Sequence, residues 1–228
     1  MEGASLQRSF LERASLRAAQ LARVDFTEAH LDWADFRAAD LRLAKITMVT
    51  SDWPNFDGAV LERASITDST LRNASFRGAS LRGLKLEDTR WYQAVFDQDT
   101  LFSGFFGIDA HFVECMLEGA NLNNANLDNA VFTRSNLRRA SLRNAMLVEA
   151  QFQHVDARGA DFTEAQLNIA DLSHALLDGA KLRGAKLTDA RFVGASIEGA
   201  DFSGAVDAEK ADFAGAKGQP KGLPSFAL

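Results

Sequence analysis

Among the side chains able to do chemistry are four histidines, one cysteine and 31 carboxylates. His154 and His174 stand in equivalent sequence surroundings. If the chain repeats at the distance between them, their rings stack on an outward face. A metal there would need further ligands, and only Gln153 and Asp171 are near. The expectation is therefore a solvated pair with no metal. Cys115 takes a place that alanine takes elsewhere, which reads as a buried small residue and not a nucleophile. A lone cysteine excludes an intrachain disulfide framework and fits a reducing, cytoplasmic setting. Asp25 and Glu28 read as members of a convex row, not of a cleft that would raise one of their pKa values. Gly-x-Ser-x-Gly, Gly-x-Gly-x-x-Gly, P-loop, His-Glu-x-x-His and Cys-x-x-Cys patterns are all missing. No catalytic residue, cofactor or metal is expected, and the chain reads as not an enzyme.

The elements that must position these groups come from one short repeat. From Ala120 the chain runs Ala-Asn-Leu-Asn-Asn, Ala-Asn-Leu-Asp-Asn, Ala-Val-Phe-Thr-Arg. A large apolar residue recurs at every fifth position from Leu6 to Leu101, and again from Phe112 to Phe202 in a new frame. Leu, Phe or Ile fills 36 of these 39 centres, and Ala fills 28 of the 39 positions two residues before them, so both positions must point inward. A helix turns about 100° per residue, so a step of five would swing each centre far round the axis and smear the stripe. A flat strand would throw successive centres onto opposite faces. The pattern works when the chain turns a corner in every pentad. Ten of the 16 glycines lie two residues after a centre, where a corner needs positive φ.

The phenylalanines set the number of corners. Phe36, Phe56, Phe76 and Phe96 are four pentads apart, as are Phe112, Phe132 and Phe152. Within each block every pair of centre phenylalanines is separated by an even number of pentads, so they occupy alternate sides only. An even-sided coil of four pentads stacks these rings directly.

Ala-(Asp/Asn)-(Leu/Phe)-x-x in dozens of tandem copies resembles the pentapeptide repeat family over roughly residues 4–206. The resemblance implies an all-β fold, a right-handed quadrilateral β-helix with four pentads per coil and about ten coils. At ~4.8 Å between strands the rod is roughly 47 Å long. Each buried centre contributes about 1.5–3 kcal/mol before chain entropy is subtracted.

Irregular places carry the functional expectations, since the regular coil needs none. From Leu101 to Phe112 is a step of eleven where the repeat takes five. The reading adopted is an inserted apolar loop at about 102–109, carrying Phe102, Phe105, Phe106, Ile108 and Asp109, with Trp91 and Tyr92 one coil earlier. Exposed aromatics of this kind suggest a partner site. A one-residue bulge with Phe106 inside the core stays open as the alternative. Around Thr47–Pro54, Ser51 and Pro54 fall in core positions and Trp53 faces outward, which reads as a local bulge. After Phe202 the repeat fails, with Asp207 in a centre position, one shifted copy at Ala211-Asp212-Phe213, and Gly218 to Pro224 as a loose tail or end cover. The organisation expected is one β-helix over 4–206, interrupted at 102–109, with a cover or tail over 207–228.

The net charge is −6, from 25 basic and 31 acidic residues, so clustered basic side chains that neutralise phosphates are lacking and no direct nucleic-acid binding is expected. No apolar run approaches the roughly 18–20 residues that span a bilayer, and no membrane association or signal peptide is expected. The most acidic strip holds Asp25, Glu28, Asp68, Glu87 and Asp88, with Arg8 and Lys45 among them; Arg17, Arg37 and Arg77 line another side. Within the resembled family the nearest functional analogy is the Qnr-like quinolone-resistance proteins. It implies a non-enzymatic rod that mimics DNA, binds DNA gyrase or topoisomerase IV and protects against an antibiotic. The broader expectation is a protein-interaction scaffold with another partner. Open coil ends make homodimerisation through them a further expectation.

Overall fold

Each pentad solves one local problem: it must bury a centre residue and an alanine while reversing direction. The Leu6 carbonyl accepts a hydrogen bond from the N–H of Ser9 (3.2 Å), Leu11 from Ala14 (2.9 Å) and Leu16 from Ala19 (3.1 Å). Arg8, Arg13 and Ala18, each two residues after a centre, take φ of 55°, 59° and 53°. This is a β-turn with positive φ at its third residue, as in type II. Glycine takes that place without Cβ strain, as at Gly58 (φ 65°). Elsewhere Asn, Asp and Arg are held in it by backbone hydrogen bonds to the next coil, such as Arg8 N–H to the Thr27 carbonyl (2.9 Å).

The computed structural model describes residues 1–223. Four such corners close a square coil, and parallel bridges join each coil to the next. On the first side the ladder runs Ser5, Asp25, Lys45, Ser65, Lys85 at a constant step of four pentads, then Phe106, then on at the same step to Val206. Three strands of this side are β1 (Lys45–Thr47), β3 (Ser65–Thr67) and β5 (Lys85–Glu87). On the second side β2 (Thr50–Asp52), β4 (Thr70–Arg72), β6 (Arg90–Tyr92) and β7 (His111–Val113) pair in that order. The described residues thus form an all-β quadrilateral β-helix, with one 3-10 turn at Ala208–Lys210.

The centres fill the axis. Phe36, Phe56, Phe76 and Phe96 stack along the third side with ring centroids 4.9, 4.9 and 5.3 Å apart. Phe112, Phe132 and Phe152 stack along the second side at 4.9 and 5.0 Å. Edge contacts cross to the opposite side, as between Phe26 and Phe36 (5.6 Å) and between Phe152 and Phe162 (5.8 Å). The ladder of rings therefore moves from the third side to the second. Trp91 bridges the change: it lies 5.0 Å from Phe76, 5.2 Å from Phe96 and 5.2 Å from Phe112.

The expected insert at 102–109 is not there. The frame shifts earlier, by one residue, in the corner Asp97–Thr100. The Asp97 carboxylate accepts the N–H of Asp99 (3.1 Å) and the hydroxyl of Thr100 (3.0 Å), which closes a corner one residue longer than the others. The buried Thr100 hydroxyl also donates to the Phe76 carbonyl (2.9 Å). The next centre is Phe102, 1% exposed, while Leu101 is 39% exposed on the outside. Phe106 is outside too, so the one-residue alternative is right in length but not in placing that ring in the core.

Two other irregularities also differ from expectation. Ser51 and Pro54 are buried and Trp53 faces outward, yet no bulge is present, because Thr50–Asp52 pairs in register with Thr70–Arg72. The segment after Phe202 is not a loose tail over its described part. A second extra residue at the 3-10 turn puts Ala208 inward in place of Asp207. Phe213 then stacks on Phe192 at 4.8 Å, and bridges continue to Lys217 and Lys221. Pro224 and residues 225–228 of the expected tail lie outside the described residues.

Candidate functional site

The repeat turns sequence distance into columns, and the columns decide which predicted side chains meet. Residues two places after the centres of the first side form a corner column that includes Asp68, Asp88 and Asp109, with φ of 50°, 46° and 56°. Beside it, one place before the centre, stand Ser65, Lys85 and Phe106, and one place after it Thr67, Glu87 and Ile108. Phe106 is 48% and Ile108 41% exposed. Together with Glu87, Asp88, Asp109 and one cation, Lys85, they line one shallow depression on this side. The structure thus joins part of the expected aromatic set to part of the expected acidic strip.

Why is there a depression? Gly107 holds the centre position between Phe106 and Ile108 and has no side chain to fill it. Phe105, in the place alanine usually takes, fills that interior from beside it and is 1% exposed. Phe106 and Ile108 are left as the outward flanks of a backbone segment with no centre side chain of its own.

The other predicted residues lie elsewhere. Trp91 and Phe102 are core side chains like Phe105, 0% and 1% exposed, so none of the three is a surface contact. The expectation that placed them outside fails because aromatic character alone does not tell the two faces of a coil apart. Tyr92 is half-buried on the second side, in register with Arg72 and Val113. Asp25 and Glu28 share the first side but lie several coils from the depression, and both are engaged. Glu28 takes two hydrogen bonds from Arg8 (2.8 and 3.1 Å), which lower its pKa. At Asp25, burial pushes the pKa up, but hydrogen bonds from Thr27 and Gln7 and the charge of Lys45 outweigh it and leave it below the usual value. By contrast Asp68, Glu87, Asp88 and Asp109 have no ion-pair partner among the described residues.

His154 and His174 stack as the spacing requires, with centroids 5.1 Å apart and planes 8° apart. Among the described residues no three His, Cys, Asp or Glu side chains converge as a metal site would need. Cys115 is fully buried, and burial pushes its thiol up to about 12. No helix among the described residues is long and apolar enough to cross a membrane. One pair escaped the sequence analysis: Trp33 and Trp53, 54% and 49% exposed, stack at 5.3 Å. The signal was available, since they are four pentads apart in corner positions, like the two histidines.

Comparison with known proteins returns one family. A model described as a pentapeptide repeat region matches residues 108–182, and one described as pentapeptide repeats (8 copies) matches residues 1–32, 55–90 and 165–204. Similar solved structures include HetL, a pentapeptide repeat protein involved in heterocyst differentiation regulation from the cyanobacterium Nostoc sp. strain PCC 7120. It is 27% identical, over 95% of this chain and 88% of that one, with a TM-score of 0.42. A pentapeptide repeat protein from the Arabidopsis thaliana thylakoid lumen is 31% identical over 47% of this chain and 81% of its own, with a TM-score of 0.34. QnrB1, a plasmid-mediated fluoroquinolone resistance protein, is 18% identical over 77% of this chain and 91% of its own, with a TM-score of 0.36. No curated protein matches.

Proposed function

This chain belongs to the pentapeptide repeat family, and from that premise we propose that it is a non-enzymatic rod that binds a protein partner through the first side, around Phe106 and Ile108. The observation that carries this is the pairing of two exposed apolar side chains with unpaired carboxylates in one depression. An aromatic anchor beside a net negative cluster is the arrangement that gives an interface both energy and steering.

The specific partner proposed is DNA gyrase or topoisomerase IV, with antibiotic protection as the consequence. These enzymes bind an anionic rod, and the column Asp68, Asp88, Asp109 presents one carboxylate per coil, at about 4.8 Å intervals, none of them in an ion pair among the described residues, with Lys85 the one cation lining the same depression. The broader alternative is a scaffold for a different protein. It is favoured by the shortness of that column, since the carboxylates nearer the N-terminal coils are paired to Arg8 and Lys45.

Gyrase supercoiling, with and without a gyrase poison, tests the partner. The expected result is inhibition or protection by the wild type and its loss in Phe106→Ser and in Asp88→Lys/Asp109→Lys. If neither effect is seen at micromolar protein, the topoisomerase reading fails. Capture of another protein that depends on Phe106 then supports the scaffold, and capture indifferent to Phe106 removes the first side as the interface.

A further inference from the structure

The apolar row at Phe106 and Ile108 is repeated on the same side toward the C-terminal end. Bridges carry the column before the centres from Phe106 to Asn126, Met146 and Gln166. The column after the centres runs Ile108, Asp128, Val148, Asn168. Apolar and polar rows therefore alternate. Met146, 38% exposed, and the half-buried Val148 restate the first row two coils on, with Asn126 and Asp128 between. One coil further, and one place toward the corner, stands Ile169, 51% exposed with φ 61°. A β-branched side chain is strained in that conformation. Asn129, two coils earlier in the same corner column, is the residue type that tolerates it (φ 58°). The coil itself gains nothing from a strained, exposed isoleucine.

The charge on this strip has one sign. Asp109, Asp128 and Glu149 lie on it, none in an ion pair among the described residues, and its columns hold no Lys or Arg from Phe106 to Ile169. Lys85 and Lys186 stand one coil past its two ends, and His111 lies across the corner from Asp109. Arg143, on the neighbouring side, is taken by Asp161 (3.2 Å).

The fold restricts what can lie there. Backbone groups under the strip are consumed by the ladder: Asn126 N–H donates to the Phe105 carbonyl and Met146 N–H to the Ala125 carbonyl, both at 3.0 Å. An added strand finds no free edge, whereas a helix satisfies its own backbone and needs only side-chain contacts. Apolar rows two coils apart are separated by about 9.6 Å. Seven residues of helix advance about 10.5 Å, so a helix inclined by about 25° to the rod axis brings one residue per heptad into step with them. The offset of Ile169 toward the corner gives the direction of the slant. One apolar side chain then enters the depression over Gly107, the next sits between Met146 and Val148, and a polar one half-way faces Asn126 and Asp128.

From this spacing, charge and strain we infer that the first side receives a basic, amphipathic α-helix of the partner, laid along the rod from Phe106 to Ile169. The inference rests on the reading of this side as the partner surface and adds the form and charge of what docks there.

The test titrates the whole chain into a fluorescein-labelled peptide, three repeats of Leu-Ala-Lys-Gln-Ala-Ala-Lys, and follows anisotropy. Saturable binding that weakens with salt is expected, and Asp109→Asn/Glu149→Gln should flatten the salt dependence. A peptide of the same composition with its leucines on different faces should bind at least about tenfold more weakly. Met146→Ser and Ile169→Asn should each weaken binding about fivefold or more. Ile169→Asn also relieves the corner, so its melting temperature should stay at or above the wild-type value, a combination that a purely structural isoleucine does not give. Three results would overturn the inference: no saturable binding, equal binding of the rearranged peptide, or undiminished affinity in both variants. Capture of a protein that depends on Phe106 but is indifferent to Met146 and Ile169 would also remove the helix while leaving the partner surface in place. Failure of the partner reading looks different: gyrase assay and Phe106-dependent capture are both negative while the peptide still binds.

Discussion

The ring of Phe105 occupies the space that a side chain at Gly107 would need. A Cβ at Gly107 would lie 2.8 Å from Cε1 of Phe105 and 3.1 Å from Cδ2 of Leu127. Gly107 is not among the residues with positive φ, so the glycine is there for room and not for conformation. Two inward positions that normally carry a small residue and then a large one carry them here in reverse order.

That exchange predicts a coupling. Gly107→Leu alone overpacks the interior and should cost about 1–3 kcal/mol. Phe105→Ala alone leaves a cavity and should cost about 3–5 kcal/mol. The double variant restores the usual order and should be destabilised by at least ~1 kcal/mol less than the sum. Urea denaturation of the four proteins measures this, and strictly additive costs would show that the two side chains do not share one space.

Acid should unfold the rod through its best-held carboxylates. Hydrogen bonds from Arg37 hold Asp35 at about 2, against an ordinary 3.8. Asp201 is also lowered to about 2, by hydrogen bonds from Ser203 first and then from Arg183. A carboxyl with a depressed folded-state pKa stabilises the fold above its ordinary value, and that contribution is lost as pH falls toward the folded-state value. The melting temperature should therefore drop between about pH 4 and pH 2. Asp35→Asn/Asp201→Asn should start lower at pH 6 and fall less over that window. A parallel fall in both proteins would assign acid unfolding to other groups.

The architecture was legible because a period of five excludes helix and flat strand alike, and because the phenylalanine spacing of four pentads sets the coil. The frame between Phe96 and Phe112 was harder to place. Leu101 and Phe102 are adjacent and both apolar, so either can serve as the centre. Gly104 was the overlooked signal: it lies two residues after Phe102, in the corner position, with φ 66°. Starting from Phe102 puts Phe105 inward and Phe106 outward, and splits the apolar run that reads as one exposed patch. The acidic residues near Phe106 were legible as a strip. Which of them are neutralised was not, because Arg8 meets Glu28 across a whole coil of intervening chain.

Cys115 supplies a prediction at alkaline pH. Its thiol sits in an alanine position, donates to the Trp91 carbonyl at 3.3 Å, and is raised from 9.0 to about 12, chiefly by burial. Below the ordinary thiol pKa both states keep the proton, and the group has no effect on the pH dependence of folding. Above it the unfolded chain loses the proton and the folded one does not, so stability should fall by about 1.4 kcal/mol per pH unit as pH rises from 9 toward 12. Alkaline solution acts on the rest of the chain as well, which makes Cys115→Ala the needed comparison. That variant keeps the shape of a regular pentad, so it should fold, and the difference between the two stability curves isolates the thiol. A thiol-specific reagent at pH 8 gives the second readout: no labelling of the folded chain, and complete labelling in urea. Rapid labelling without denaturant would mean that the coil opens around Trp91 and Cys115, and the aromatic change-over would then be a loose point of the rod and not its plug.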